Sequence, residues 1–463
     1  MQILILGNGI SGVTCARYLR KHCDHDITLV SDESDEFFSR TALMYVYMGH
    51  MRERDVRPYE PWFWDKNRIQ RVRARIRSID FQEKLLTSDQ GQLLPYDKLV
   101  LALGSIPNKF GWPGQDLEGV QGLYHWSDLE SMERHSSGLA RAVIVGGGLI
   151  GVEMAEMFHS RGIPVTFLVR ESAFWSSVLP VEEAQMVTRH LREYGIDLRH
   201  EEELQAIEPD TGGQKCAAIL TKGGERIPCG FVGLTAGVRP NIDFLKNTSL
   251  STGRGILVDP FLKTNMPDVW AIGDCAELKQ PLPGRKTIEA VWYTGRMMGE
   301  TAAFNLLAAP GREKAYDPGT WFNSAKFFDI EYQVYGQVPA QIPDSLDTLY
   351  WEHPGGKKSI RIVFEKANGA VKGFNLMGIR YRQEVCEKWI QTQSSVEEVL
   401  TNLGLANFDP EFSGQYEQEV LRVYQGKTGK TIPLQQKRGL PGVLRFLGSR
   451  TVTKTVHSND NPA

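Results

Sequence analysis

The chain opens on an unbroken apolar run. "ILIL" separates Gln2 from the first glycine, Gly7; it is too short for a helix and too uniformly apolar for a strand with one wet face. Such a run reads as a parallel strand buried on both sides. After it, "GNGISGVTCARYL" turns through glycines into helical spacing, and a second strand, "DITLV", ends at Ser31-Asp32-Glu33. The whole pattern returns at "RAVIVGGGLIGVEMAEMFHSRGIPVTFLVRES". A long helix is expected from about Thr287 ("TIEAVWYTGRMMGETAAFNLL"), and "AAPGREKAYDPG" reads as a linker. Beyond the linker come several strand-like runs and two helical stretches, around "QEVCEKWIQ" and "SVEEVLTNLGL". Strict alternation in "NRIQRVRARIRSI" predicts one strand with Arg71, Arg73, Arg75 and Arg77 on one face and Val72, Ala74 and Ile76 on the other. That arginine face suits either a solvated edge strand or an acidic partner.

Both glycine sets, Gly7/Gly9/Gly12 and Gly146/Gly148/Gly151, have the spacing G-x-G-x-x-G between strand and helix. The first glycine permits the turn, the second lets a pyrophosphate approach the backbone, and the third lets helix and strand pack closely. The helix N-terminus then offers free N–H groups and a positive dipole end. Asp32, with Glu33 next to it, stands at the distance where an acid bonds a ribose hydroxyl. One loop alone is a weak signal; two, each followed by a second strand, imply two dinucleotides. The fold class expected is α/β, with two Rossmann-like dinucleotide-binding domains and a smaller α+β C-terminal domain.

Composition narrows this further. A length of 463 residues calls for two or three domains, and a net charge of −3 gives no reason to expect nucleic acid. No apolar run approaches a membrane span, and the first strand begins at Gln2 with no room for a targeting peptide. The six cysteines (Cys15, Cys23, Cys216, Cys229, Cys275, Cys386) are scattered without a C-x-x-C pair or a metal-like cluster. A reduced, cytoplasmic protein without a metal is expected.

At "TNMPDVWAIGDCAE" the chain resembles the two-dinucleotide-binding flavoproteins of the pyridine nucleotide–disulfide oxidoreductase type. The resemblance implies that Asp274, after Gly273, binds the ribitol of FAD near the start of a long helix. "YDKLVLALGSIPN" resembles the family's A-T-G crossover, with Leu103 in place of threonine and Gly104 as its glycine. "TAGVRPN", with Gly237, resembles the return to the flavin domain, and "FFSRTALMYVYMG" places Arg40 along the FAD. "NSAKFFDIEYQVYG" resembles the first interface-domain strand, with Lys326 near the flavin; Trp292 and Tyr293 are candidates to cover the isoalloxazine edge. The order of motifs implies a discontinuous FAD domain (1–112 and 237–310), an NAD(P) domain (113–236), an interface domain (311–425) and a basic tail (426–463).

What departs from the family directs the chemistry. The family's disulfide reductases carry a cysteine pair after the FAD loop, and its coenzyme A-type members have one cysteine in the stretch matching "FFSRTALMYV"; that stretch has none here. Cys15 and Cys275 read as core packing. Electrons are then expected to pass from NAD(P)H through FAD to an external acceptor, a small acidic carrier of ferredoxin or rubredoxin type. The alternatives are a quinone reductase touching a membrane through "LPGVLRFLGSR", and a redox-sensing interaction protein like apoptosis-inducing factor. Glu153 matches a glutamate near the nicotinamide site of ferredoxin reductases, whose lysine partner is replaced by Tyr45. Arg170, at the end of the second strand of the nicotinamide unit, suits a 2′-phosphate, whereas Gly151 and the absence of a second arginine favour NADH. NADH or NADPH stays open, as does a homodimer.

Overall fold

A computed structural model describes residues 1–409, 413–435 and 440–448. The elements gather into two compact units, Met1–Trp175 with Leu191–Gly319 and Ser176–His190 with the chain from Thr320.

The first unit holds both glycine loops. The run "QILIL" is strand β1 (Gln2–Leu6), buried from Ile3 onward, and leads through Gly7–Gly9 into helix α1 (Ile10–His22). Strands β2 (Asp26–Ser31), β3 (Ile69–Arg73), β7 (Lys98–Leu101) and β19 (Val269–Ala271) join it in a parallel sheet ordered β19-β7-β1-β2-β3. Between β2 and β3 lie the short helices α2 (Leu43–Tyr47) and α3 (Trp62–Lys66). The second loop repeats the plan. Strand β10 (Ala142–Val145) leads into helix α5 (Leu149–Ser160), inside a parallel sheet ordered β12-β11-β10-β16-β9. Its other strands are β9 (Val120–Gln121), β11 (Val165–Val169), β12 (Asp197–His200) and β16 (Phe231–Leu234), and helix α4 (Trp126–Ser136) precedes β10. A three-stranded antiparallel sheet, β13 (Leu204–Pro209), β14 (Cys216–Thr221) and β15 (Arg226–Pro228), is set into this half. The crossovers β8 (Ser105–Pro107) and β17 (Val238–Pro240) pair with each other, antiparallel, so the chain leaves and re-enters the half that carries the first loop side by side. Strands β18 (Ile256–Val258) and β20 (Ala276–Leu278) form a small parallel pair around the Asp274 turn.

Two expectations change. The arginine stretch is two strands: β3 edges the parallel sheet, and β4 (Ile76–Asp80) begins an antiparallel sheet with β5 (Leu85–Ser88) and β6 (Leu93–Pro95). The Ala74 N–H bonds Ser31 O, and Arg75 lies in the connection, so the four arginines do not share one strand face. Alternation alone cannot reveal a break that keeps its phase. The long helix, α7, is Trp292–Leu307 and starts five residues later than expected. Thr287–Val291 instead forms a turn in which the Val291 N–H and the Thr294 hydroxyl both donate to Glu289 O. Helices α1 and α7 pack backbone to backbone: a Cβ on Gly295 would stand 2.7 Å from Ser11 Oγ, and one on Gly299 would stand 2.5 Å from Ser11 O.

The second unit is an antiparallel sheet ordered β21-β22-β25-β24-β23: β21 (Phe322–Phe327), β22 (Ile330–Gly336), β23 (Leu346–Glu352), β24 (Ser359–Glu365) and β25 (Val371–Met377). The expected helical stretches are α8 (Gln383–Gln391) and α9 (Val396–Thr401), followed by α10 (Glu417–Thr428) and α11 (Leu440–Gly448). Trp389, Phe374 and Ile362 anchor its core. Helix α6 (Val181–Glu193) contributes Glu183, fully buried, whose carboxylate accepts from Arg361 Nε at 2.7 Å and from Asn375 Nδ2 at 3.2 Å. In the basic tail, Lys430 pairs with Glu397 at 2.6 Å, Lys427 pairs with Asp347, and Val443 is buried in the core. Lys437, Arg438, Arg450, Lys454 and Asp460 lie outside the described residues. Among the described residues no helix is long and apolar enough to cross a membrane.

Candidate functional site: two glycine loops and a buried acid network

In each loop the three glycines divide their work in the same way. Gly7 has φ +116°, and a Cβ there would collide with Ala102 O; one on Gly12 would collide with Gly7 O. Gly146 has φ +113° with Thr235 C and Ala236 N 2.7 Å from its missing Cβ, and a Cβ on Gly151 would stand 2.6 Å from Gly146 O. The middle glycines differ: a Cβ added at Gly9 or Gly148 would meet nothing within 4 Å. The outer glycines therefore answer to packing, and the middle ones face space that a ligand can take. Gly9 and Gly148 are also the N-caps of α1 and α5, and neither helix has a side-chain cap. First-turn N–H groups without side-chain caps suit phosphate, and two such cradles fit two dinucleotides.

Around the first loop the side chains form a closed network. Gly273, at φ +73°, turns the chain so that Asp274 Oδ2 accepts from the Ser105 hydroxyl at 3.0 Å and from Tyr124 OH at 3.4 Å. Burial pushes the Asp274 carboxyl above its ordinary range, although Ser105, Arg40 and Tyr124 pull the other way. Gly104, at φ +65°, leaves room for the Tyr124 hydroxyl, which also accepts the Ser105 N–H at 2.8 Å. Above the Tyr124 ring, at 4.5 Å, lies the Arg40 guanidinium, which donates two hydrogen bonds to Glu33 (2.7 and 3.1 Å) and one to Tyr124 O. Glu33 also accepts the Trp126 N–H at 2.8 Å, at the start of α4. Burial opposes ionisation of Glu33, yet bonds from His125, Arg40 and Trp126 outweigh it and hold the carboxyl down at about 2. The expected Glu33, Arg40, Gly104, Gly273 and Asp274 thus come together. Asp32 is exposed. Tyr124, Ser105 and His125 are members that the sequence reading missed; the signal was the polar–aromatic stretch "GLYHWSD", whose Asp128 closes a capping box on His125.

The remaining candidates are more open. Gly237, at φ +86°, sits beside Asn108 at the paired crossovers. Trp292 is the first residue of α7, half-buried, with its ring 5.5 Å from Tyr293. Glu153 is half-buried on α5, and Tyr45 is half-buried on α2. The Arg170 side chain is 74% exposed and bonds Glu171 at 3.0 Å. Lys326 lies in the second unit, half-buried on β21. Cys15 is fully buried in α1; Cys275, buried against Leu101 O and Ile272 O, is pushed up to about 12 by burial.

Comparison with known proteins agrees with this geometry. The chain is 29% identical over 316 residues to the NADH-rubredoxin oxidoreductase of Clostridium acetobutylicum, covering 68% of this chain and 76% of that one. It is 25% identical over 373 residues to the assimilatory nitrate reductase electron transfer subunit of Bacillus subtilis, covering 80% of this chain but only 47% of that longer protein. In fold it is similar to a NAD-dependent persulfide reductase from A. fulgidus, with a TM-score of 0.78 at 21% identity, over 93% of this chain and 84% of the other. Residues 1–299, which carry both glycine loops and the Asp274 turn, match the pyridine nucleotide-disulphide oxidoreductase family, and the chain belongs to that family of flavin- and pyridine-nucleotide-dependent enzymes.

Proposed function

We propose that this protein is an FAD-dependent NAD(P)H oxidoreductase that passes electrons from reduced flavin to a ferredoxin- or rubredoxin-type carrier, in the cytoplasm. The observation that carries the choice of acceptor is the burial of Cys15 and Cys275, the two thiols of the flavin half nearest the cofactor motifs: both are 0% exposed and packed in the core, so no thiol there is placed to relay electrons. Likeness to the rubredoxin reductase supports the same reading.

The residues fall into two sets. The open backbone at Gly9 and the N-terminus of α1 take the FAD pyrophosphate, Asp32 with Glu33 takes the adenosine ribose, and Asp274 takes the ribitol, with Arg40 alongside. FAD, when bound, supplies an acceptor for a hydride and a donor of single electrons. The N-terminal dipole of α7 favours negative charge at the flavin pyrimidine edge, and Trp292 covers that edge. Gly146, Gly148 and Gly151 take the nicotinamide dinucleotide, with Arg170 at its adenosine ribose. Glu153, on the helix that follows the second loop, takes an orienting rather than a proton-exchanging role toward the nicotinamide. Steady-state turnover with purified rubredoxin, ferredoxin and a soluble quinone tests the reading. Fast NAD(P)H-driven reduction of either iron–sulfur carrier is expected; turnover with the quinone alone would replace it with a quinone reductase, and sluggish turnover with all three would replace it with a sensor.

A further inference from the structure

The fold brings two cysteines together that the sequence leaves 13 positions apart. Cys216 opens β14, Cys229 follows the last residue of β15, and their Sγ atoms stand 3.8 Å apart. The reading of all six cysteines as scattered is therefore corrected: antiparallel pairing of Ala218 with Pro228, and the Cys229 N–H bonded to Ala217 O, set these two side by side. Neither belongs to a glycine loop or to the acid network. We propose that Cys216 and Cys229 are a modification site: a dithiol that closes to a reversible disulfide when a hydroperoxide oxidises it.

Three features support the assignment. The first is reach: the sulfurs stand 3.8 Å apart against about 2.05 Å in a disulfide, so less than about 2 Å has to close between side chains already in contact. The second is access. Both thiols are buried, at 6% and 5% exposure, but each adjoins exposed chain: residues 211–215 precede Cys216, and Pro228 and Gly230 flank Cys229. Strand β15 is a three-residue edge, the kind of element that opens locally at low cost. The third is asymmetry. Either sulfur can donate to the other, and the Cys216 thiol also reaches Cys229 O at 3.6 Å; with Cys229 as the donor, the Cys216 thiolate is favoured and its pKa lowered, while the Cys229 thiol is held protonated. One thiol is thus prepared to attack and its neighbour to resolve.

The chemistry balances. The Cys216 thiolate attacks the hydroperoxide; the O–O bond breaks, an alcohol (water, for hydrogen peroxide) leaves with a proton, and a sulfenic acid remains on Cys216. Cys229 sulfur then attacks Cys216 sulfur, the S–O bond breaks, and water leaves with the Cys229 proton. Two thiols lose two electrons in total, and the peroxide gains them. An added dithiol returns the pair to its starting state. The bond would staple β14 to the end of β15, next to the point where Cys216 N–H bonds Glu118 O and the chain enters β9.

The test uses the full-length protein with hydrogen peroxide as probe, followed by intact mass, thiol counting after denaturation, and peptide mapping. Expected are a mass loss of two hydrogens, the loss of two thiols, a Cys216–Cys229 cross-linked peptide, a raised Tm, and reversal by dithiothreitol. Cys229→Ala should stop at a sulfenic acid on Cys216 that dimedone captures, and Cys216→Ala should slow thiol loss at least tenfold. A cross-link joining any other pair, or a wild-type protein that keeps all its thiols while free cysteine in the same tube is consumed, would overturn the proposal. The wild-type mapping decides even if a variant fails to fold.

Discussion

The two glycine loops share a backbone and differ in what surrounds it. The first is ringed by Glu33, Arg40, Ser105, Tyr124 and Asp274, bonded to one another and largely withdrawn from water. The second ends at Arg170, whose side chain stands in solvent and pairs with Glu171. One supersecondary unit thus serves two kinds of ligand, and the difference lies in enclosure. On the proposed assignment, the enclosed loop suits a cofactor that stays bound and the open one a substrate that must leave every turnover.

The comparison can be broken first at the glycines. Gly7→Ala adds a methyl group at φ +116° against Ala102 O, and should cost roughly 3 kcal/mol or more, seen as a large drop in Tm and an apoprotein product. Gly9→Ala and Gly148→Ala, with nothing within 4 Å, should keep Tm and fail separately, the former in flavin affinity and the latter in KM for NAD(P)H. Equal loss of flavin in both would end the distinction between the loops.

Acid titration of the apoprotein comes next. Glu33 is held at about 2 in the fold, below its ordinary 4.5, so its contribution is complete above pH 4.5 and fades as pH falls toward 2. The difference amounts to about 3 kcal/mol, and Glu33→Gln should flatten that acid limb in urea-unfolding curves. An unchanged limb would mean that the network is not formed without cofactor.

Asp274→Ala removes the acceptor that Ser105 and Tyr124 face, and should weaken FAD by about 1.5–3 kcal/mol, roughly ten- to a hundredfold in Kd. A variant that purifies fully yellow with unchanged affinity would speak against Asp274 as a flavin ligand. The smallest effect is expected at Arg170. An exposed pair with Glu171 contributes about 1 kcal/mol at most, so Arg170→Met should alter flavin reduction by NADH and NADPH alike and only slightly. A wild-type preference for NADPH that disappears in the variant would show that the open edge holds a 2′-phosphate.

The sequence announced the parts of the site that depend on backbone. Gly7, Gly12, Gly146 and Gly151 were legible because only glycine tolerates those carbonyls, and the spacing records it. Asp274 was legible because its turn carries a family pattern. Tyr124 was not, because it lies 84 residues from the Arg40 it stacks on and no local rule joins them. The break between β3 and β4 was hidden by alternation that runs through it in phase, and the late start of α7 by a turn made of residues with ordinary helix preferences. Cys216 and Cys229 looked unrelated because antiparallel pairing, rather than spacing, makes them neighbours.

Glu183 carries a practical consequence for anyone wishing to divide the protein. In the order of the chain it lies between β11 and β12, yet its carboxylate is fully buried against Arg361 and Asn375, nearly two hundred residues later. A fragment ending at Gly319 would keep the acid and discard both its cation and the strands that bury it, leaving helix α6 without the surface it packs on. The two stretches are better expressed, swapped or transplanted together, and a chimera that exchanges the C-terminal unit with that of a relative should carry Ser176–His190 along with it.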